Sequence, residues 1–387
     1  MPKKRILEAI ATLVGFIIGA GILGIPFVAA RAGFWTGVAD IVLIGTALLV
    51  VNLYIGEVVL RTRESHQLTG YAKKYLGKYG KQLMTFCMVF GMYGALIAYT
   101  IKEGEFLNEM LGPSFGGNAL VYSIIFFLAA GFLIYKGLNI IEKSELWMVI
   151  LFILIVCVIF IFSLPSIKPE NLNGFDIKNM FVPYGVVLFA FLGIGAIPEL
   201  REELRNNKKD IKKAIVIGSL VPLVVYLLFA FMIVGVTGKA TTDGAIIGLN
   251  NALGYNIFLL AIVFGILTMA TSFIAIGLAL KEMYCFDFKV KDKLSSCLVC
   301  FVPLAVSLAI ILMRIDNAFF KVIDITGAIA GGLTGILVIE MFWMAKRKGE
   351  RKPEYSISGN KLVGFLLMAV FFIGMIYEVI KVIRFLF

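Results

Sequence analysis

The chain has 387 residues, 60% of them hydrophobic and 16% charged, with a formal net charge of +11. A mean hydropathy of +0.96 and an apolar share well above the roughly 45–50% of soluble domains exclude a water-soluble globular protein. The basic clusters "KKYLGKYGK" and "RNNKKDIKK" fall in short segments between apolar runs. They read as membrane topology, with attraction to anionic lipid added, and not as a nucleic-acid footprint.

Eleven apolar runs predict an all-α integral membrane protein. They cover 6–31, 36–60, 82–102, 118–135, 144–164, 180–200, 214–237, 255–280, 294–313, 320–345 and 361–383, each near the ~20 residues that cross a bilayer as a helix. Span 1 follows the basic start "MPKKR". It is too long for a cleavable signal peptide, and no small-residue cleavage site leads into a soluble domain. With the N-terminus in the cytoplasm, 27 of the 36 Lys and Arg residues and 15 of the 25 acidic residues lie inside, a net +12 against −1 outside. That asymmetry predicts a plasma-membrane protein whose C-terminus is outside.

Span 1 contains "GFIIGAGILGIP", residues 15–26. Glycine and proline here weaken the helix where no water satisfies freed backbone groups. Gly15 and Gly19 also form a GxxxG, so simple helix packing is the alternative. In span 3, Tyr93 and, behind it, Tyr99 are candidates to cap a pocket, Tyr93 being the one assigned to substrate binding; aromatic-belt residues are the alternative. Lys143 opens span 5 beside Glu142 and Glu145, as a positive-inside anchor would.

Span 6, "LFAFLGIGAIPEL", repeats the pattern of span 1: Gly193, Gly195 and Ile197-Pro198 echo Gly19, Gly21 and Ile25-Pro26. The two are five spans apart, and an odd interval inverts the topology. Glycine-interrupted helices at matching places in two inverted halves point to a secondary transporter's binding site. The expected organisation is a first five-helix repeat at 1–164, an inverted second at 165–345, and a loop with an eleventh helix at 346–387. Between spans 7 and 8, the Gly-, Thr- and Asn-rich loop at 238–254 could hold a short lid helix or be a plain connector. In span 10, Gly327, Gly331 and Gly335 read as helix-packing positions. Asp324 and Arg31 could form an outer gate, and Glu57 or Glu199 could pair with Arg61 or Arg201 as an inner one.

None of the five cysteines lies in an outside loop, so a disulfide framework is not expected. Cys297 and Cys300 read as packing residues. The single histidine, His66, sits in a loop, and HExxH, GxSxG and P-loop motifs are absent. An intramembrane enzyme is therefore not expected. A passive channel and a non-transporting amino-acid sensor stay open as alternatives to a transporter.

A broken span presents two half-helix ends to the gap. The N–H groups that start the second half of span 1 suit a carboxylate. The carbonyls that end the first half of span 6 suit an ammonium. An α-amino acid carries both charges.

"GFIIGAGILGIPF" resembles the first-span signature of amino-acid permeases of the amino acid–polyamine–organocation superfamily. "FAFLGIGAIPELREEL" and "ATSFIAIGLALKEMYCFD" resemble the sixth and eighth spans of its amino acid/auxin and aromatic amino-acid branches. The resemblance covers the first ten spans and implies the leucine-transporter (LeuT) type fold, a five-plus-five inverted repeat. It implies that Gly19, Ala20, Gly21 and Ile22 bind substrate carboxylate. Phe189, Ala190, Phe191, Leu192 and Gly193 would offer carbonyls to the amino group and walls to a neutral, apolar or aromatic side chain. Many relatives carry a polar residue where this chain has Gly195, which removes any side-chain role there. No cofactor is implied beyond a possible co-transported Na⁺. Its site would use carbonyls of Gly15, Ile18 and Thr268 and hydroxyls of Thr271 and Ser272, neutral oxygens suited to a hard cation. Both hydroxyls could instead bond back to their own helix. In some proton-coupled relatives a lysine near Lys143 places its ammonium where that sodium would sit.

Overall fold

The structure, a computed structural model, describes residues 2–136, 145–286 and 288–386; Lys143 lies outside them. Fifteen α-helices are described: α1 (Pro2–Ile17), α2 (Gly21–Ala32), α3 (Phe34–Arg61), α4 (Leu68–Phe115), α5 (Ala119–Lys136), α6 (Glu145–Ser163), α7 (Tyr184–Ala190), α8 (Ile197–Glu203), α9 (Ile211–Thr237), α10 (Asn250–Leu253), α11 (Tyr255–Phe286), α12 (Asp292–Leu312), α13 (Ala318–Thr326), α14 (Gly332–Lys348) and α15 (Lys361–Leu386). Among the described residues ten helical segments are long and apolar enough to cross a membrane. The pair formed by α1 and α2, bent by 54°, makes an eleventh. All expected spans are present, within a few residues at most ends.

Span 3 is the exception. It runs from Leu68 to Phe115, 48 residues, or about 72 Å at 1.5 Å per residue. "KKYLGKYGK" is therefore helical, bent where Gly77 takes φ +77. The helix also continues past Lys102, because this buried lysine is paired with Glu105 and with Asp243 at 2.9 Å. Charge that would otherwise end an intramembrane helix is compensated on the spot. The loop at 238–254 does carry the short helix α10, flanked by 3₁₀ turns at Gly238–Ala240 and Ile247–Leu249.

Small residues let the helices approach. A Cβ on Gly37 would lie 2.5 Å from Ala29, and one on Gly335 would lie 2.6 Å from the Phe371 ring. A π-helical turn, Gly327–Gly331, joins α13 to α14 and packs on α7 through Phe189 and Leu188. The glycines of span 10 thus serve packing. Outward faces are apolar; Trp147, Leu128 and Phe372 are more than half exposed, as lipid-facing side chains are. All five cysteines are free thiols.

The segment between α14 and α15 straps the end of the bundle where α3 finishes. Glu350 and Arg351 donate backbone N–H bonds to the Arg61 carbonyl, and the Tyr355 hydroxyl donates to the Leu53 carbonyl at 2.8 Å. Buried Glu57 accepts from Arg61 at 2.8 Å and from the Ile357 N–H, and pairs with Lys346 at 2.9 Å.

Candidate functional site at two broken helices

Both glycine-interrupted spans break, and the breaks meet. Helix α1 ends at Ile17 and α2 begins at Gly21. The gap is closed by tight local bonds: Gly19 N–H to the Ile17 carbonyl (3.0 Å), Ile22 N–H to Gly19 (3.4 Å) and Leu23 N–H to Ala20 (3.0 Å). In span 6, α7 ends at Ala190, a 3₁₀ turn covers Ile194–Ala196, and α8 starts at Ile197 with Pro198 in its first turn. Proline lacks the N–H that a helix start leaves unused, so it belongs there. Leu192 N–H bonds the Phe189 carbonyl at 3.3 Å and Ala196 N–H the Gly193 carbonyl at 3.1 Å. The carbonyls of Phe191 and Leu192 stand between those two turns.

Glycine is required at the crossing. A Cβ on Gly21 would lie 2.5 Å from the Ala190 Cα, and one on Gly193 would lie 2.7 Å from Ile17. Tyr226 of α9 joins the two breaks. Its buried hydroxyl is 2.7 Å from the Ile17 carbonyl and 2.9 Å from the Ala190 carbonyl. One phenolic proton thus serves the C-terminal ends of α1 and α7, where carbonyls lack helical partners. Its ring meets Phe191 edge-on at 4.9 Å.

Tyr99, fully buried on α4, faces the Ala20 backbone and the Ser272 hydroxyl. A Cβ on Gly19 would lie 3.1 Å from its hydroxyl oxygen. Tyr93 is elsewhere: six residues back along α4, or about 9 Å, it hydrogen-bonds Tyr284 at 2.9 Å and the Leu298 carbonyl at 3.3 Å. Of the two span 3 tyrosines, Tyr99 faces the span 1 break, because α4 turns that face, and not the face of Tyr93, toward it.

The side chains of span 6 diverge. Phe191 points to Gly45 and Tyr226, while Phe189 packs on Gly327. Of the cation set, the Ser272 side chain reaches the Gly19 turn. The Thr271 hydroxyl donates to the Leu267 and Thr268 carbonyls at 2.9 and 3.0 Å. The Thr268 hydroxyl donates to Phe264 and Gly265. Both threonines thus bond back to their own helix. The Asp324–Arg31 gate does not form. Asp324 is bound by Lys381, which also meets Glu378 at 3.0 Å, and Arg31 lies over the Phe27 ring at 4.1 Å. Arg61 does pair with Glu57; Arg201 instead donates to the carbonyls of Val59, Arg63 and Glu64.

Sequence reasoning passed over Tyr226. Its signal was present: the one tyrosine of the apolar run 214–237, at its centre and far from either aromatic belt.

The tryptophan/tyrosine permease family profile matches residues 2–380. Tyrosine-specific transport system 1 of Haemophilus influenzae is 27% identical, covering 92% of this chain and 92% of its own. The tryptophan-specific transport protein of Shigella flexneri is 24% identical over 96% of this chain and 94% of its own. Among solved structures, MhsT in complex with L-phenylalanine superposes with a TM-score of 0.73 at 16% identity, covering 97% of this chain and 98% of that one; this establishes a LeuT-type fold. The chain belongs to the tryptophan/tyrosine permease family.

Proposed function

We propose that this permease takes up a neutral, apolar or aromatic amino acid across the plasma membrane, coupled to Na⁺ or H⁺, by alternating access. The observation that carries the reading is the meeting of the two breaks at Gly21 and Ala190. The substrate carboxylate docks on the backbone of Gly19, Ala20, Gly21 and Ile22, at the start of α2, where the helix dipole favours an anion. The ammonium docks on carbonyls of the Phe189–Gly193 segment. In the conformation described, the Ala190 carbonyl is held by Tyr226 and the Ala20 backbone by Tyr99. These two hydroxyls are the groups that a zwitterion displaces or joins. The names of the tyrosine- and tryptophan-transporting relatives support an aromatic side chain.

Spans 1, 2, 6 and 7 then rock against spans 3, 4, 8 and 9, with the broken segments as hinge and binding site together. A sodium ion, if it is the driver, sits among the oxygens of Gly15, Ile18, Thr268, Thr271 and Ser272; Lys143 is the corresponding group for a proton. The N-terminus is cytoplasmic and the C-terminus outside, from the charge asymmetry.

A thermal-shift screen of the purified protein against the twenty amino acids, with and without Na⁺, is the test. An aromatic amino acid is expected to raise the melting temperature, since it binds the folded state alone. Counterflow of the labelled ligand in reconstituted vesicles then separates a carrier from a channel and from a sensor. No shift with any amino acid, or binding without counterflow, overturns the reading.

A further inference from the structure

Glu103 lies one turn above Tyr99 on the same face of α4, an i, i+4 relationship. It is 0% exposed, and neither carboxyl oxygen has a hydrogen-bond partner among the described residues. This face packs on α11. Phe106, one turn further on, is pressed against Gly265, and the Ala270 backbone of α11 lies within reach of the carboxyl.

Among the described residues no charge compensates it. Lys102, its neighbour in sequence, points away to Asp243 and Glu105, and its ammonium lies 5.0 Å from the Phe319 ring centre. On α13, Asp324 is bound by Lys381. From α5, Ser123 packs against Gly104, the next residue of α4; it is uncharged and its hydroxyl has no hydrogen-bond partner among the described residues. An ionised carboxylate in such a place costs several kcal/mol more than its neutral acid. The conformation described therefore suits the protonated form. As a packing group alone it serves worse than any apolar residue of the same size.

We propose that Glu103 carries the coupled proton of the transport cycle. This deepens the reading above, and rests on it, by making the proton the driving ion and placing it on Glu103 instead of Lys143. The carboxylate gains a proton in a conformation where water reaches the α4–α11 seam. It keeps the proton while buried and releases it on the other side. One O–H bond forms and one breaks per cycle. Tyr99, one turn away and against the Ala20 backbone, links its state to the amino-acid site.

The test uses the full-length protein in sodium-free vesicles, with labelled tryptophan, tyrosine and phenylalanine as probes. An imposed gradient of about one pH unit, alkaline inside, supports at most about tenfold accumulation for one proton per amino acid. The wild type is expected to approach that ratio, with acidification of a trapped dye on amino-acid entry. Glu103→Gln is expected to keep counterflow and to drop the ratio to about one. Gradient-driven accumulation by Glu103→Gln at the wild-type ratio overturns the assignment, as does loss of counterflow in that variant. A wild type that exchanges amino acid but responds to Na⁺ alone also overturns it. A wild type without counterflow of any probe overturns the transport reading, and the assignment with it. If Glu103→Gln does not purify as a monodisperse protein, Glu103→Asp serves. A displaced pH profile of uptake supports the assignment, and an unchanged one refutes it.

Discussion

Gly21 and Ala190, 169 positions apart, touch through their backbones: a Cβ on Gly21 would stand 2.5 Å from the Ala190 Cα and 2.6 Å from its Cβ. The contact places the start of one half-helix beside the end of another, with opposite partial charges adjacent. It is the geometric core of the site.

Gly21→Ala is therefore expected to push the two breaks apart. Backbone cannot yield as a flexible side chain does, so the cost falls in the overpacking range of about 1–3 kcal/mol. Counterflow should drop at least tenfold while the protein still purifies. Wild-type counterflow in the alanine variant would show that the contact has no part in binding.

Tyr226→Phe removes the one proton shared by the Ile17 and Ala190 carbonyls. Leaving buried acceptors unpaired costs about 1–3 kcal/mol. A lower melting temperature is expected without ligand, together with weaker amino-acid stabilisation. Comparison of thermal shifts between the variant and the wild type measures both.

Lys381 neutralises Asp324 and Glu378, which are 1% and 3% exposed by side chain. Lys381→Met strands two buried carboxyls. A cost on the order of 2–3 kcal/mol is expected, below that of a fully buried pair because Lys381 is 38% exposed. Adding Asp324→Asn should recover part of it. Melting curves of the single and double variants form the test, and additivity would show that the pair is not coupled.

The strap at 349–360 is sensitive to acid. The Arg63 N–H, and then Lys74, hold the Glu350 carboxyl below its usual range. A depressed folded value means that the stabilisation is complete above the ordinary carboxylate range and is lost as pH falls through the depressed one. Amide protection across 349–360, referred to the intrinsic exchange rate at each pH, should fall on that descent. Glu350→Gln should flatten the dependence.

Much of this protein was legible locally. The breaks at Gly19–Gly21 and Gly193 could be placed because glycine and proline act on the backbone they belong to. Tyr93 and Tyr99 could not be ranked that way. Both are tyrosines in one apolar run, and only the rotation of α4 about its axis decides which faces Ala20. Asp324 looked free to meet Arg31 until α15 supplied Lys381.

What the sequence by itself determined is the number of spans, the extents of all but the third, and the two points of fracture. Each of these follows from the transfer free energy or the helix propensity of a contiguous stretch. What only the tertiary structure decided is partnership: Tyr226 with two carbonyls, Lys381 with Asp324, and Glu103 with no side-chain partner among the described residues. Helices in lipid associate through close packing of small residues and through bonds between residues far apart in the chain. No local period records which residue will stand opposite.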